Sequence, residues 1–354
     1  MKILYLLHTD WNWIKQRSQF LAEHLDRLDC EVTVAYKFSP KRKALVCNES
    51  SIKRFGCFFL PFSLRKVSIF RLADSYFWKS YFFLMCKIFE YDRVVVTHPL
   101  LGRYVKDCGV PIIYDCHDDN AEFYPLGKLR DLISRSHLEL LKVSSKTIFS
   151  SRHLAEKYSL NSPGIVVRNG HNNVENSPFS RGDPNSTLGN DTYNIFYFGT
   201  VSEWFDQSLI LQSLKEIENL AITVIGPSDI TLVQHERLVV VGPLSHEELM
   251  KKCVAADAFI MPFVVNELIE GVDPVKLYEY LSFDVPVISC HYKELDHFGN
   301  LIEFYKSRSH LNSLIRHLIS QRDCYDPDLE GRARFLKDSA WAARALEFKG
   351  AISL

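Results

Sequence analysis

The sequence has no GxGxxG turn, no CxxC pair, no cluster of His and Cys at metal-ligand spacing, no excess of charge of either sign and no apolar run long enough to cross a bilayer. Each absence removes a class of function. Without GxGxxG, a dinucleotide-dependent oxidoreductase is disfavoured. Nine cysteines scattered without pairing predict free thiols in a reducing cytoplasm and no structural zinc. A net charge of -1 and a pI near 6.9 argue against general nucleic-acid binding, although local basic clusters remain. No signal-type apolar segment with a cleavage site opens the chain. The stretch 76–89 is short and interrupted by Lys79 and Lys87, so a protein that does not span the membrane is expected.

What is present is alternation. At 354 residues the chain exceeds one ordinary core and suits two domains. Short apolar runs at 2–8, 31–36, 93–97, 111–115, 147–150 and 164–168 read as buried strands of a parallel sheet. Helical spacing fills the intervals at 14–28, 70–89, 100–108, 126–143 and 151–158. The scheme repeats with strands at 194–198, 221–225, 238–241, 258–261 and 286–289. Between the halves, Asn, Ser, Pro, Gly and Asp dominate. The expected organisation is an α/β chain with a doubly wound N-terminal domain at 1–170, a linker at 171–193 and a second such domain at 194–330. A helical segment at 331–354 could cross back to the first domain.

The stretch 271–290 carries the most chemistry. Asp273 suits an N-cap and Pro274 the first helical position, so the N–H groups of Val275, Lys276 and Leu277 would face outward as an anion site. Lys276 falls in the first turn, where the helix dipole disfavours a cation unless an anion binds there. Glu279 follows one turn later on the same face and could accept from a ribose. The alternative is a solvated Lys–Glu pair at a helix start. Gly199, Gly226 and Gly242 each end a strand, at the edge where open α/β sheets bind ligands; ordinary tight turns are the other reading.

Two Rossmann-like halves with these motifs resemble the GT-B class of nucleotide-sugar glycosyltransferases. Asp257 to Phe263 (DAFIMPF), Asp273 to Leu281 (DPVKLYEYL) and Val285 to Ser289 (VPVIS) are similar to the donor-binding signature of bacterial surface-polysaccharide transferases of the group 1, family 4-like kind. Phe196 to Asp206 (FYFGTVSEWFD), Ala221 to Pro227 (AITVIGP) and Trp11 to Leu25 extend the likeness. The resemblance implies that Lys276 contacts the donor diphosphate and Glu279 the ribose. Gly199, Thr200, Gly226, Pro227 and Leu244, with the loop after Gly242, would meet base and phosphates. It also implies a nucleoside diphosphate sugar, uridine-linked above all, as donor substrate, with no further cofactor. One departure stands out: where many family 4 retaining enzymes carry Glu, this chain has Gly271, with Glu267 and Glu270 displaced. Inverting and retaining outcomes therefore both stay open.

In the first half, His117, Asp118 and Asp119 follow a buried strand and would emerge at the sheet's carboxyl edge, facing the interdomain cleft. Any of the three could take the acceptor's proton, while Asp115 and Asp118 could instead cap the next segment. Two acidic residues and a His could bind Mg²⁺ or Mn²⁺ there, but the resemblance implies that helix N-termini and basic side chains meet the leaving diphosphate, so no metal is expected. His8, Trp11, Trp13, Arg17 and His98 follow strands at the same edge and are acceptor candidates, although the tryptophans could equally fold onto the domain surface. Residues 53–90 interleave Phe, Tyr and Trp with Lys53, Arg54, Arg65, Lys66, Arg71, Lys79 and Lys87. That mixture suits the inner face of the cytoplasmic membrane, or a helix packed on the sheet with a basic outer face. The expected function is sugar transfer from a nucleoside diphosphate to a cell-surface polysaccharide or lipid-linked glycan. A nucleotide-sugar 2-epimerase and a non-catalytic nucleotide-sugar-binding assembly protein are the alternatives.

Overall fold

An all-parallel sheet is covered by helices on both faces, so its inner strands are largely apolar, and the chain builds such a sheet twice. The computed structural model describes residues 1–13, 15–39, 51–59, 68–159, 164–172 and 192–353. These divide into two units, Met1–Gly170 with Trp341–Leu354, and His171–Ala340. Residues 173–191 of the expected linker lie outside the described residues, as do Arg65 and Lys66.

In unit 1 the strands are β1 (Lys2–Leu7), β2 (Glu31–Lys37), β3 (Lys53–Cys57), β4 (Arg93–Val96), β5 (Ile112–Cys116), β6 (Lys146–Phe149) and β7 (Ile165–Val166). They form a 7-stranded parallel sheet in the order β3-β2-β1-β4-β5-β6-β7. The intervening helices are α1 (Arg17–Arg27), α2 (Ser68–Phe89), α3 (Pro99–Val105), α4 (Lys128–Val143) and α5 (Arg152–Tyr158). In unit 2, β8 (Tyr193–Phe198), β9 (Leu220–Ile225), β10 (Leu238–Val240), β11 (Ala258–Met261), β12 (Val287–Cys290) and β13 (Glu303–Tyr305) make a 6-stranded parallel sheet, β10-β9-β8-β11-β12-β13. Its helices are α6 (Gln207–Glu216), α7 (His246–Cys253), α8 (Glu267–Glu270), α9 (Val275–Tyr280), α10 (Arg308–Ser320) and α11 (Leu329–Asp338).

In both sheets the strand order reverses beside the first strand, which opens a crevice at the carboxyl ends of β1 and β4 and of β8 and β11. The edge strands β3 and β13 have no counterpart in the sequence-based reading. The single helix expected from residue 331 is in fact two, α11 in unit 2 and α12 (Trp341–Ser353) in unit 1. The residues between them close unit 2, where His171 bridges Ala340 and its N–H donates to the Ser339 carbonyl at 3.2 Å. α12 packs on α1 through the stacked rings of Phe20 and Trp341, 5.1 Å apart.

Candidate functional site

The carboxyl edge of the unit 2 sheet is built from backbone before any side chain reaches it. Gly199 N–H donates to the Ile225 carbonyl and Gly226 N–H to the Gly242 carbonyl, both at 3.0 Å, and Val201 N–H donates to Pro227 at 2.9 Å. Three strand ends are thereby stitched side by side. Gly226 has φ +141°, and a Cβ there would lie 2.1 Å from the Gly199 carbonyl oxygen. That glycine is required for close approach of its neighbouring loop, a structural task that the turn and ligand readings of the sequence both missed. Thr200 is exposed, and its carbonyl accepts from Tyr197 Oη at 2.7 Å. Leu244 packs against the unit 2 core.

α9 is brought to this edge by Tyr280. Its hydroxyl donates to the Phe198 carbonyl at 2.9 Å and accepts from Phe198 N–H at 3.2 Å, and its ring stacks on Phe259 at 4.9 Å. Lys276, one turn earlier in the helix, lands beside Gly199: a Cβ on that glycine would be 3.7 Å from Lys276 Cγ. The Lys276 ammonium lies 5.2 Å from the Phe198 ring centroid and pairs with Glu279 Oε2 at 2.7 Å. Both side chains keep access to solvent, 41% and 27% exposed. A cation and a carboxylate, held together at an open glycine edge, can meet a diphosphate and a diol.

The helix start differs from the expectation by one residue. Pro274 occupies the cap and Val275 the first helical position, with no side-chain cap. Asp273 is buried instead, accepting from Tyr278 Oη at 2.9 and 3.1 Å, with His297 Nε2 3.6 Å away. Leu277 cannot offer a free amide, because its N–H donates to the Pro274 carbonyl at 3.1 Å, and its side chain is in the core. Of the three amides expected to meet an anion, this leaves Val275 and Lys276. Tyr280 was missed as a positioning residue. Its signal was available: it lies four residues after Lys276 and therefore on the same helix face.

At the unit 1 edge, three imidazoles converge from three strand ends. His8 follows β1, His98 follows β4 and His117 follows β5, with the ring of His8 4.5 Å from that of His98 and 6.4 Å from that of His117. His117 Nδ1 lies 3.2 Å from the Asp115 carbonyl, which can only accept, so that nitrogen carries the proton. Nε2 is then the basic atom, 3.6 Å from Asp118 Oδ2. Asp118 is 34% exposed, yet crowding by protein atoms pushes its carboxyl above the ordinary range, with Asp115 and Asp119 adding to the rise and His117 and Arg17 opposing it.

Four of the expected site residues are occupied elsewhere. Asp119 is buried between Lys157 Nζ at 3.0 Å and Tyr158 Oη at 2.7 Å, which anchor α5. Arg17 is buried too: Nε and Nη2 bind Asp115, and Nη1 reaches the Arg168 carbonyl and Asn169. His98 is the N-cap of α3, its Nδ1 accepting from Leu100 N–H at 3.2 Å, and burial followed by the nearby His117 and Lys37 lowers it to about 3. Trp11 is fully buried and cannot stack on a sugar. His8 and Trp13 remain half-buried at the edge. Asp115 caps nothing, since it is the partner of Arg17. Among the described residues, no group of three or more His, Cys, Asp or Glu converges as a metal-ligand set.

No protein-family model matches the chain, and no curated protein matches it. Solved structures do. Sucrose-phosphate synthase from Thermosynechococcus elongatus superposes with a TM-score of 0.77 at 13% identity, over 100% of this chain and 98% of that one. The apo lipopolysaccharide outer core galactosyltransferase WaaB gives 0.70 at 14%, over 100% and 99%. Anabaena HepE, solved with UDP and glucose, gives 0.71 at 13%, over 100% and 99%. The similarity runs the length of the chain and concerns the backbone: this protein has the GT-B fold of nucleotide-sugar glycosyltransferases.

Proposed function

We propose that the protein is a metal-independent glycosyltransferase that moves a sugar from a nucleoside diphosphate, uridine-linked, to a cell-surface polysaccharide or lipid-linked glycan on the cytoplasmic side of the membrane. The observation that carries this reading is the Lys276 side chain beside Gly199, its ammonium paired with Glu279 at 2.7 Å and still in reach of solvent. Lys276 neutralises the charge that grows on the diphosphate as its bond to the anomeric carbon breaks. Glu279 turns to the ribose hydroxyls once phosphate replaces it as the partner of Lys276. HepE, of like fold, has been solved with UDP-glucose, which supports a uridine-linked donor here.

Unit 1 supplies the proton acceptor. The acceptor hydroxyl gives its proton to His117 Nε2, directly or with Asp118, as its oxygen attacks the anomeric carbon. His117 is the better placed of the two, because the Asp115 carbonyl fixes its tautomer. Trp13 and His8 line the acceptor side.

A thermal-shift and calorimetric screen of nucleoside diphosphates and their sugars tests this directly. A uridine diphosphate sugar should raise the melting temperature. Lys276→Ala should weaken its binding about a hundredfold, the worth of a charge-assisted contact to phosphate. Wild-type affinity in that variant would refute the assignment.

A further inference from the structure

Among the described residues of unit 1, α2 is the long helix whose outer face is apolar. Its inner face is a single row of buried side chains, Asp74, Trp78, Phe82 and Cys86, each four residues from the last. That row is well anchored. Asp74 accepts from Tyr104 Oη at 3.3 Å, and the Trp78 ring lies 4.7 Å from Phe59. Everything that the sequence needs to bury against the sheet is therefore already buried on one side.

The other side carries Ile69, Leu72, Tyr76, Phe83, Leu84 and Ile88, between 43% and 76% exposed. At about 100° per residue these span an arc of roughly 160°, half the circumference of the helix. A partner helix would need only a narrow seam of such residues. A bilayer surface solvates a broad arc and needs no matching ridges.

The charges point the same way. The only carboxylate on α2 is Asp74, which is buried, while Lys87 is exposed on the apolar arc and Lys79 lies at its margin. Lys87 lies 5.8 Å from the Phe83 ring centroid, its stem along the apolar face. Lys79 is 3.5 Å from Asp107, both partly exposed, a contact too weak in water to hold it back from a phosphate. Cations on long stems beside aromatic rings are the groups that settle at the headgroup level while apolar neighbours enter the acyl boundary. No described helix is long and apolar enough to cross a membrane, so a bilayer could meet α2 only along its length.

We infer that the exposed face of α2 docks the protein on a bilayer bearing anionic phospholipid, with Ile69, Leu72, Tyr76, Phe83, Leu84 and Ile88 entering the interface and Lys79 and Lys87 meeting lipid phosphate. The inference goes beyond the transferase reading and does not depend on it. A protein that binds vesicles but no nucleoside diphosphate would keep this surface and lose that function, and the reverse result would do the opposite.

The test is co-sedimentation of the full chain with vesicles of phosphatidylcholine alone and of phosphatidylcholine mixed with phosphatidylglycerol. Binding to the mixed vesicles should need about thirtyfold less lipid, from the two lysines, and should weaken as salt is raised. Leu84→Glu with Ile88→Glu should abolish it. Both side chains are exposed, so the doubly substituted chain should keep its melting temperature. Lys87→Glu should remove the preference for anionic lipid and leave weak binding to both vesicles. Failure to pellet with either composition would overturn the inference. So would unchanged pelleting of the doubly substituted chain, or a concentration-dependent dimer in sedimentation velocity that the same substitutions dissolve, since a second copy would then be what covers the face.

Discussion

The two sheets share a strand order, but the residues at their carboxyl edges are put to different use. In unit 1 most of the polar groups, Asp118 and His117 apart, point inward and hold the fold: Arg17 is locked on Asp115, Asp119 on Lys157 and Tyr158, and His98 caps α3. In unit 2 the backbone holds the edge, through the Gly199, Gly226 and Gly242 contacts, and the charged pair Lys276–Glu279 stays in reach of solvent. A polar residue at a strand end is thus a poor guide to function where the edge needs that residue for its own cohesion. Where glycine backbones provide cohesion, the side chains are free for a ligand.

Substitutions should break this comparison in a definite order. Asp115→Ala strands the buried Arg17 guanidinium and should destabilise unit 1 by about 4 kcal/mol, read from the urea midpoint. Gly226→Ala forces a methyl group against the Gly199 carbonyl and should cost unit 2 about 3 kcal/mol, with loss of whatever nucleotide binding the edge has. Acid should separate the units next. His98 is held at about 3 and His137 at about 4, chiefly by burial, against an ordinary value near 6.5. The unfolded chain therefore takes up more protons as pH falls below 6.5, and stability is lost from there down toward the folded values. By pH 5 each should have withdrawn about 2 kcal/mol from unit 1, measurable as a lower denaturant midpoint at pH 5 than at pH 7.5. His98→Asn, which retains a capping side chain, should flatten that slope. The smallest stability effect belongs to a residue with a large effect on binding: Lys276→Ala removes a partly exposed ion pair and should change stability by under about 1 kcal/mol while donor affinity falls about a hundredfold.

Much of the architecture was legible because buried parallel strands leave continuous apolar runs, as at Val94–Val96 and Ala258–Met261. β3 was not, since an edge strand with Lys53 and Arg54 facing water has no such run, and β13 is three residues long. The break between α11 and α12 is invisible because no proline or glycine marks Ser339 and Ala340; the chain leaves one core for another within a continuous helical period. At the site, Lys276, Glu279 and the glycines could be read from spacing. The fates of Asp119, Arg17, His98 and Trp11 could not, because partners such as Asp115 for Arg17 or Lys157 for Asp119 are distant in sequence and only the folded sheet brings them together.

The closing helix bears on how the polypeptide matures. Lys146 and Arg93 bind the Ala351 and Ile352 carbonyls at 2.9 and 3.2 Å, and Arg344 binds the Asn169 carbonyl at 3.1 Å, so the lobe synthesised first takes one wall from residues made after the whole of the second lobe. On a translating ribosome the second lobe can finish while the first still waits, which reverses the usual order in which domains complete themselves.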